Sequence, residues 1–551
     1  MHRSRRGWGA VGVLALIPWM CFCFAVATAW AEPPETVESL RRELNDLRRE
    51  GAERDKRMQR LEERLEELRS APPSAPSAGA RANSEDAASA LDRALAELPE
   101  AAPTTTASRD VASTRVGGAT LRLIDVSLAG VFYGGGSTAP NSNSVDFGFL
   151  NADGEPAAFS RDRGLLTLQS GGHDPKARGF TIAQAELSLG GAVDPYFTAE
   201  SHTLFIVDPI EGETSVELEE AFLTTTFLPY GFALEVGQSF TEFGLLNPTH
   251  PHAWDWIDQP VILSRLFGGD GMRGAGFRLD WLTPLPWFSE LSAGMQNASG
   301  ETMTSFRANA AVYDEAAPGG RPFRDQSVRS LRDFVYQSRW VNGFDLTDDV
   351  TVKVGASGLW GPNATGPDGW TGVWGGDILA LWRPASQHQG YPFVKFQGEV
   401  LGRRFHADGA LSIQEGMDEE GNPVTDVNFL RNRDLVDWGL YAELLGGVFT
   451  RIGGVQAGLR YEYATGYGGR TDAVDGDAQD FEVLGSIARR DDPLRSDRQR
   501  LSPLLVWRPS EFARVRLQYN YDRAAWLPNG AAHSVWLGFD FLIGTHPAHR
   551  F

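Results

Sequence analysis

The chain is 551 residues long, with 42% hydrophobic side chains, a mean hydropathy of -0.28 and a formal net charge of -21. That hydropathy excludes a helical membrane protein of this length but leaves room for a β-barrel, which turns only every second residue to lipid. The acidic balance excludes a nucleic-acid partner.

Arg3, Arg5 and Arg6 precede a charge-free run over 8–31 that closes on Ala29-Trp30-Ala31, a small-x-small cleavage signature. Residues 1–31 are therefore expected to be a signal peptide for export. An uncleaved anchor is the alternative, because the run is long enough to span a bilayer. The only two cysteines, Cys21 and Cys23, fall within it, so the mature chain is expected to lack disulfides and cysteine metal sites.

Residues 32–70 change period. Val37, Leu40, Leu44, Leu47, Gly51, Arg54, Met58, Leu61, Leu65 and Leu68 step by threes and fours, a heptad a/d register interrupted once at Gly51 and Arg54. A lone helix would leave its leucine stripe in water, so a periplasmic coiled coil is expected; the alternative is an amphipathic helix lying on the barrel or the membrane. Residues 71–119, rich in Ala, Pro and Ser, read as a linker with a short helical piece at LDRALAEL.

From about 120 to Phe551 the chain repeats segments of roughly ten residues with alternating polarity, the pattern of a transmembrane β-barrel. Strands are predicted at 121–133, 179–190, 196–207, 216–227, 232–240, 275–283, 288–297, 333–342, 349–360, 372–383, 391–402, 436–448, 454–464, 500–508, 513–522 and 533–543. The fold class is thus an all-β barrel of about 16 antiparallel strands, an even number, with an N-terminal coiled coil. In SVWLGFDFLIG, residues Val535, Leu537, Phe539, Phe541 and Ile543 share the lipid face. Short Pro- and Gly-bearing connections (VDPY, LPYG, TPLPW, RPASQHQG, RPSE) alternate with long polar ones at 134–178, 241–274, 298–332, 403–435 and 465–499. The short ones are expected in the periplasm and the long ones outside the cell. Trp281, Trp287, Trp340, Trp360, Trp382 and Trp507 sit where interfacial girdles belong.

Sixteen strands leave room for an aqueous channel, so a pore is expected. The opposite parity would line it with Glu186, Arg278, Asp280, Arg339, Lys353, Lys395, Glu399, Arg460, Glu462, Arg514 and Arg516, both signs being present. Passive solvation by lumen water is the plain reading for each. The connection at 241–274, TEFGLLNPTHPHAWDWIDQPVILSRLFGGDGMRGAG, is richer in aromatics, His and Asp than a solvated loop needs. It is the candidate constriction, with His250, His252, Asp255, Asp258, Arg265, Asp270 and Arg273 as its charged residues. His250 and His252 are candidate metal ligands, although their spacing matches no closed metal motif and a structural role competes. His546 and His549 form a second possible pair. No nucleophile elbow, zinc-protease helix or phosphate loop is legible, so nothing supports an enzyme or a cofactor.

The order of signal peptide, coiled coil, linker and about sixteen strands ending in Phe resembles outer-membrane porins of the phosphate-selective O and P type. The block NPTHPHAWDWIDQP with LFGGDGMRGAG, and the ending GTHPAHRF, resembles a subgroup labelled zinc-regulated TonB-dependent outer-membrane protein. The resemblance implies a homotrimeric porin or solute channel in the outer membrane, surrounded by lipid, with Phe551 read by the barrel-assembly machinery. The phosphate-selective type has a lysine-rich lumen, whereas this chain has only Lys56, Lys176, Lys353 and Lys395. A TonB-dependent receptor needs a globular plug and a barrel of about 22 strands, and residues 32–119 offer no globular core. The expected function is passive or substrate-biased diffusion of small solutes. The alternatives are uptake of zinc or a metal complex, and a structural anchor tethered through the coiled coil.

Overall fold

A strand alternates at period two when one face meets lipid and the other a lumen, and from Asp125 onward the chain uses that pattern sixteen times. The computed structural model describes residues 113–544 apart from 117–118, 123, 140–145, 151–155, 159–167, 169–171, 176–177, 208–211, 213, 311–322, 418–422, 431, 468–494 and 526. The expected signal peptide, coiled coil, His546, His549 and Phe551 lie outside the described residues.

The barrel strands are β1 (Asp125–Ser137), β2 (Gly179–Ala192), β3 (Phe197–Val207), β4 (Thr214–Thr225), β5 (Phe232–Phe240), β6 (Arg273–Leu282), β7 (Phe288–Asn297) and β8 (Phe334–Thr347). They continue as β9 (Val350–Pro362), β10 (Trp370–Trp382), β11 (Phe393–Ala407), β12 (Arg433–Thr450), β13 (Gly453–Tyr467), β14 (Arg498–Ser510), β15 (Ala513–Ala524) and β16 (Ala531–Gly544). Each pairs antiparallel with its sequence neighbours, and β16 closes on β1 from Ser534↔Ser137 to Gly544↔Ser127. Closure leaves no strand edge unpaired, which a lipid environment requires.

The parity is as expected. Val535, Leu537, Phe539 and Ile543 of β16 are exposed on the outer face, and Phe541 stacks on Phe132 with ring centroids 5.8 Å apart. Ser534 and Trp536 point inward and are buried. Trp287, Trp340, Trp360, Trp382 and Trp507 are exposed on the outside, while Trp281 is half-buried against Phe232. The short connections are tight turns: Tyr230 and Gly231 both have positive φ, 61° and 78°, the signature of a type I′ hairpin. Asp194 Oδ1 accepts from the amides of Tyr196 and Phe197 to close VDPY.

Three boundaries differ from the sequence expectation. The first predicted strand splits, because Ala119–Arg122 pairs with Ser113–Val116 in a separate hairpin and β1 runs four residues further, to Ser137. The connection expected at 403–435 is largely structured: β11 extends to Ala407, β12 starts at Arg433, and Ala410–Met417 pairs with Pro423–Leu430. Within 134–178, Asp146–Leu150 pairs with Pro156–Ala158. Local alternation persists past the membrane into these hairpins, so polarity alone did not mark where the barrel wall ends.

One irregularity places chemistry. Opposite β3, His202 pairs with Glu220 and Thr203 with Leu218, which makes Glu219 the extra residue of a β-bulge. A bulge re-aims side chains, and here both Glu219 and Glu220 are buried on the lumen side.

Candidate functional site

The site is built by residues 241–272, between β5 and β6, which fold into the lumen and pack there as an apolar core. Phe243, Leu246, Trp254, Val261, Ile262, Leu263, Leu266, Phe267 and Met272 cluster with inward residues of β8 to β12, among them Val335, Leu359, Val373, Leu401 and Tyr441. The short helix α1 (Val261–Phe267) is buried on every side, its two polar residues included: Ser264 donates to the Val261 carbonyl and Arg265 to that of Ser496. Pro260 supplies no side-chain cap, and the carboxylate of Glu462 on β13 accepts the Val261 amide at 2.8 Å instead. At its other end Arg403 of β11 donates to the carbonyl of Arg265.

The loop's entry depends on one glycine. Gly244 has φ 64°, and a Cβ there would sit 1.9 Å from Oε2 of Glu399. With no side chain in the way, Glu399 on β11 accepts the amides of Leu245 and Leu246, both at 3.0 Å, and the Tyr441 hydroxyl at 2.5 Å. The turn therefore binds to the wall through backbone groups that would otherwise be buried without partners.

A basic wall, β13 to β15, grips the middle of the loop. Asp258 is 1% exposed. Its Oδ1 accepts from Arg460 and from Gln518 at 2.7 Å, and its Oδ2 from Arg500 at 3.0 Å and Asn520 at 2.7 Å. Burial works against ionisation of Asp258, but the guanidiniums of Arg460 and Arg500 hold its pKa down at about 2. Arg514 donates to the carbonyls of Trp254 and His252 at 2.8 and 2.9 Å, and Arg516 to that of Trp256 at 2.8 Å. Both also pair with Asp540. The indole of Trp256 donates to the Ser502 carbonyl at 2.9 Å.

A second stretch of wall, β2 to β4, separated from the first by β16 and β1, meets the loop with acids and imidazoles. His250 Nε2 lies 2.9 Å from Glu220 Oε2, while its Nδ1 lies 2.8 Å from Glu219 Oε2 and 3.4 Å from Glu186 Oε2. His252 Nδ1 approaches the same Glu186 oxygen at 2.8 Å, and His202 Nδ1 lies 3.0 Å from Glu186 Oε1. Donor atoms of Glu186, His202 and His250 all lie within 4.8 Å of one another. The rings of His202 and His250 are 4.5 Å apart, those of His250 and His252 5.6 Å. Burial opposes a charge on His250, yet Glu186 and Glu219 outweigh it and raise its pKa well above the usual imidazole value.

All the charged residues singled out in the loop reach a partner. Beyond those above, Asp255 pairs with Lys395, Arg265 donates to the Ser496 carbonyl at 2.7 Å, Arg273 pairs with Glu217, and Asp270 lies 3.8 Å from His173. The predicted lining residues do point inward, but most are not bathed in lumen water. Glu186, Arg460, Glu462 and Arg516 are at most 2% exposed. Arg278 pairs with Asp280 and Glu235, and Arg339 with Asp377. The expectation of passive solvation is corrected for these residues, because the loop occupies the space in which water would have stood. Lys353 and Lys395 alone of the predicted set are half-buried.

Sequence reasoning missed His202, Glu219, Glu220, Arg500 and Asp522. His202 and Arg500 sit at inward parity in predicted strands, a signal that was present. The adjacent Glu219 and Glu220 could not both be assigned inward without the bulge.

No family model matches the chain. An uncharacterized protein of Aquifex aeolicus (strain VF5) is 27% identical over 424 residues, 74% of this chain and 78% of that one. Among solved structures, the outer membrane channel DcaP of Acinetobacter baumannii is similar with a TM-score of 0.40 and 11% identity, covering 76% of this chain and 98% of that one. OprB of Pseudomonas putida gives 0.40 and 10%, covering 76% and 94%. The anion-selective porin from Comamonas acidovorans gives 0.38 and 9%, covering 77% and 99%. The fold of this chain stands on its own closed strand pairing, that of a membrane-spanning barrel of sixteen antiparallel strands.

Proposed function

We propose that the chain forms an outer-membrane channel for small solutes whose passage is limited by residues 241–272 rather than by barrel diameter. The observation that carries this reading is the loop's attachment around the lumen, from Tyr133 on β1, which donates to the Ile257 carbonyl, to Glu399 on β11 and Asp258's partners on β13 to β15. A sixteen-stranded barrel is wide enough for an aqueous channel, so a loop that crosses it sets the working aperture. The described inward arginines face acids, Arg278 against Glu235, Arg339 against Asp377, Arg403 against Asp437 and Arg500 against Asp522. Such pairing cancels a single-sign field, which favours sorting by size over a strong preference for anions or cations. Assembly as a homotrimer belongs to the same reading.

Single-channel recording in planar bilayers under a salt gradient tests it. Small conductance steps with a reversal potential near zero are expected. A silent bilayer overturns the channel reading, and a large reversal potential overturns the size-sorting part of it. The metal-uptake alternative draws on His250 and His252; the first is buried and the second half-buried between loop and wall, which suits an ion that stays more than one that passes through.

A further inference from the structure

The cluster at β2 to β4 brings three imidazoles and three carboxylates from four segments into one buried space. Glu186 comes from β2, His202 from β3, Glu219 and Glu220 from the bulge of β4, and His250 and His252 from the lumen loop. Without a metal, offsetting the carboxylates with protonated imidazoles would place like charges side by side at low dielectric, the rings being 4.5 and 5.6 Å apart. Hydrogen bonding does not complete the arrangement. Glu186 Oε2 and both oxygens of Glu219 are buried and accept no aligned hydrogen bond, although imidazole nitrogens lie 2.8 Å from Glu186 Oε2 and from Glu219 Oε2.

Those separations suit a shared cation. A tetrahedron built on bonds of about 2.0–2.1 Å has ligand-to-ligand edges of about 3.3 Å. Nδ1 of His250 lies 3.4 Å from Glu186 Oε2 and 2.8 Å from Glu219 Oε2, Nδ1 of His252 2.8 Å from Glu186 Oε2 and Nδ1 of His202 3.0 Å from Glu186 Oε1, with donor atoms of Glu186, His202 and His250 all within 4.8 Å of one another. The far nitrogen of His250 holds Glu220 Oε2 at 2.9 Å. A carboxylate on the second ring nitrogen is how metal-bound histidines are oriented and made more basic. Mixed imidazole and carboxylate donors select a first-row divalent transition metal over Mg2+ or Ca2+.

We propose that Glu186, His202 and His250, with His252 and Glu219 beside them, hold one divalent transition-metal ion of the Zn2+ class that fastens the lumen loop to the barrel wall. The ion offsets two of the three carboxylate charges, so that no more than one imidazole need carry a proton. It joins residues far apart in sequence, His250 of the loop to Glu186 of the wall, and so makes the loop's position depend on metal supply. The proposal rests on the cluster alone and does not need the channel reading.

The test uses untagged full-length protein in detergent, stripped with a chelator and titrated with Co2+. The expected result is uptake of one Co2+ per chain with the intense visible bands of a low-coordinate site, displaced by Zn2+ and unaffected by excess Mg2+. Glu186→Gln and His202→Gln, checked for folding by heat-modifiable migration, should each weaken binding on the order of 100-fold. If both variants fail to fold, the wild-type titration still decides. No stoichiometric uptake, a spectrum of hydrated Co2+, displacement by Mg2+, or folded variants that bind like wild type would each overturn the site. The titration involves no conductance, so a silent bilayer leaves it standing.

Discussion

On the basic side of the lumen, Asp258 presents two oxygens and each receives two donors, from Arg460, Gln518, Arg500 and Asn520. On the acidic side, Glu219 is equally buried but neither oxygen accepts an aligned hydrogen bond, and its neighbours are imidazoles. The same loop is held at both places by opposite charges. The first anchor is complete as the chain builds it: four donors match the roughly four lone-pair directions of a carboxylate. The second gathers charge without finishing the bonding. A buried ion cluster of the first kind fixes a loop permanently, whereas one of the second kind leaves it responsive to what enters the cluster.

Breaking the complete anchor should have the largest effect. Asp258→Ala leaves Arg460 and Arg500 buried beside the vacated position, and removing one partner of a buried pair costs about 3–5 kcal/mol. A lowered thermal transition and larger conductance steps would show it; wild-type values for both would mean that the loop does not rely on this wall. Glu399→Gln, at the loop's entry, weakens the acceptor shared by Leu245, Leu246 and Tyr441. A loss of about 1–3 kcal/mol is expected in denaturant unfolding. Gly244→Ala probes the same turn from the other side. The positive φ alone costs about 1–2 kcal/mol, and displacement of Glu399 adds to it. Glu219→Gln in metal-free protein should be the mildest, because it relieves repulsion against Glu186 and Glu220, leaves both of those carboxylates beside His250 and removes no aligned hydrogen bond. A loss as large as that of Asp258→Ala would erase the distinction between the two walls.

Acid sharpens the same contrast. The folded pKa of Asp258 is lowered from 3.8 to about 2. Its stabilising contribution is therefore fully present above the unfolded value and is lost as pH falls from there through the folded one. Loop attachment on the basic wall, followed by tryptophan fluorescence of Trp254 and Trp256, should hold down to about pH 4 and fail toward pH 2. Release near pH 6 would assign the attachment to other groups.

The barrel was legible because lipid imposes a period of two on every strand, and all sixteen predicted segments overlap a barrel strand. The inward set followed from the same rule: Arg460, Glu462 and Arg516 were named from parity alone. What parity could not carry is what stands opposite them. Asp258 meets Arg500 across 242 residues of sequence, and only the closed fold brings them together. Glu219 was hidden because a bulge breaks alternation without leaving a mark in composition. The loop at 241–274 was legible as something that packs, from its aromatics, but the extent of its packing depended on the inward apolar residues Leu359, Val373 and Leu401, which a strand-by-strand reading leaves scattered.

The central claim is that this loop, and not the barrel, sets the aperture. The most direct measurement is the single-channel conductance of a variant in which residues 246–267 are replaced by a short Gly-Ser linker, compared with wild type. The account predicts steps several-fold larger, approaching those of an open sixteen-stranded barrel. Steps of unchanged size from a correctly folded variant would contradict it.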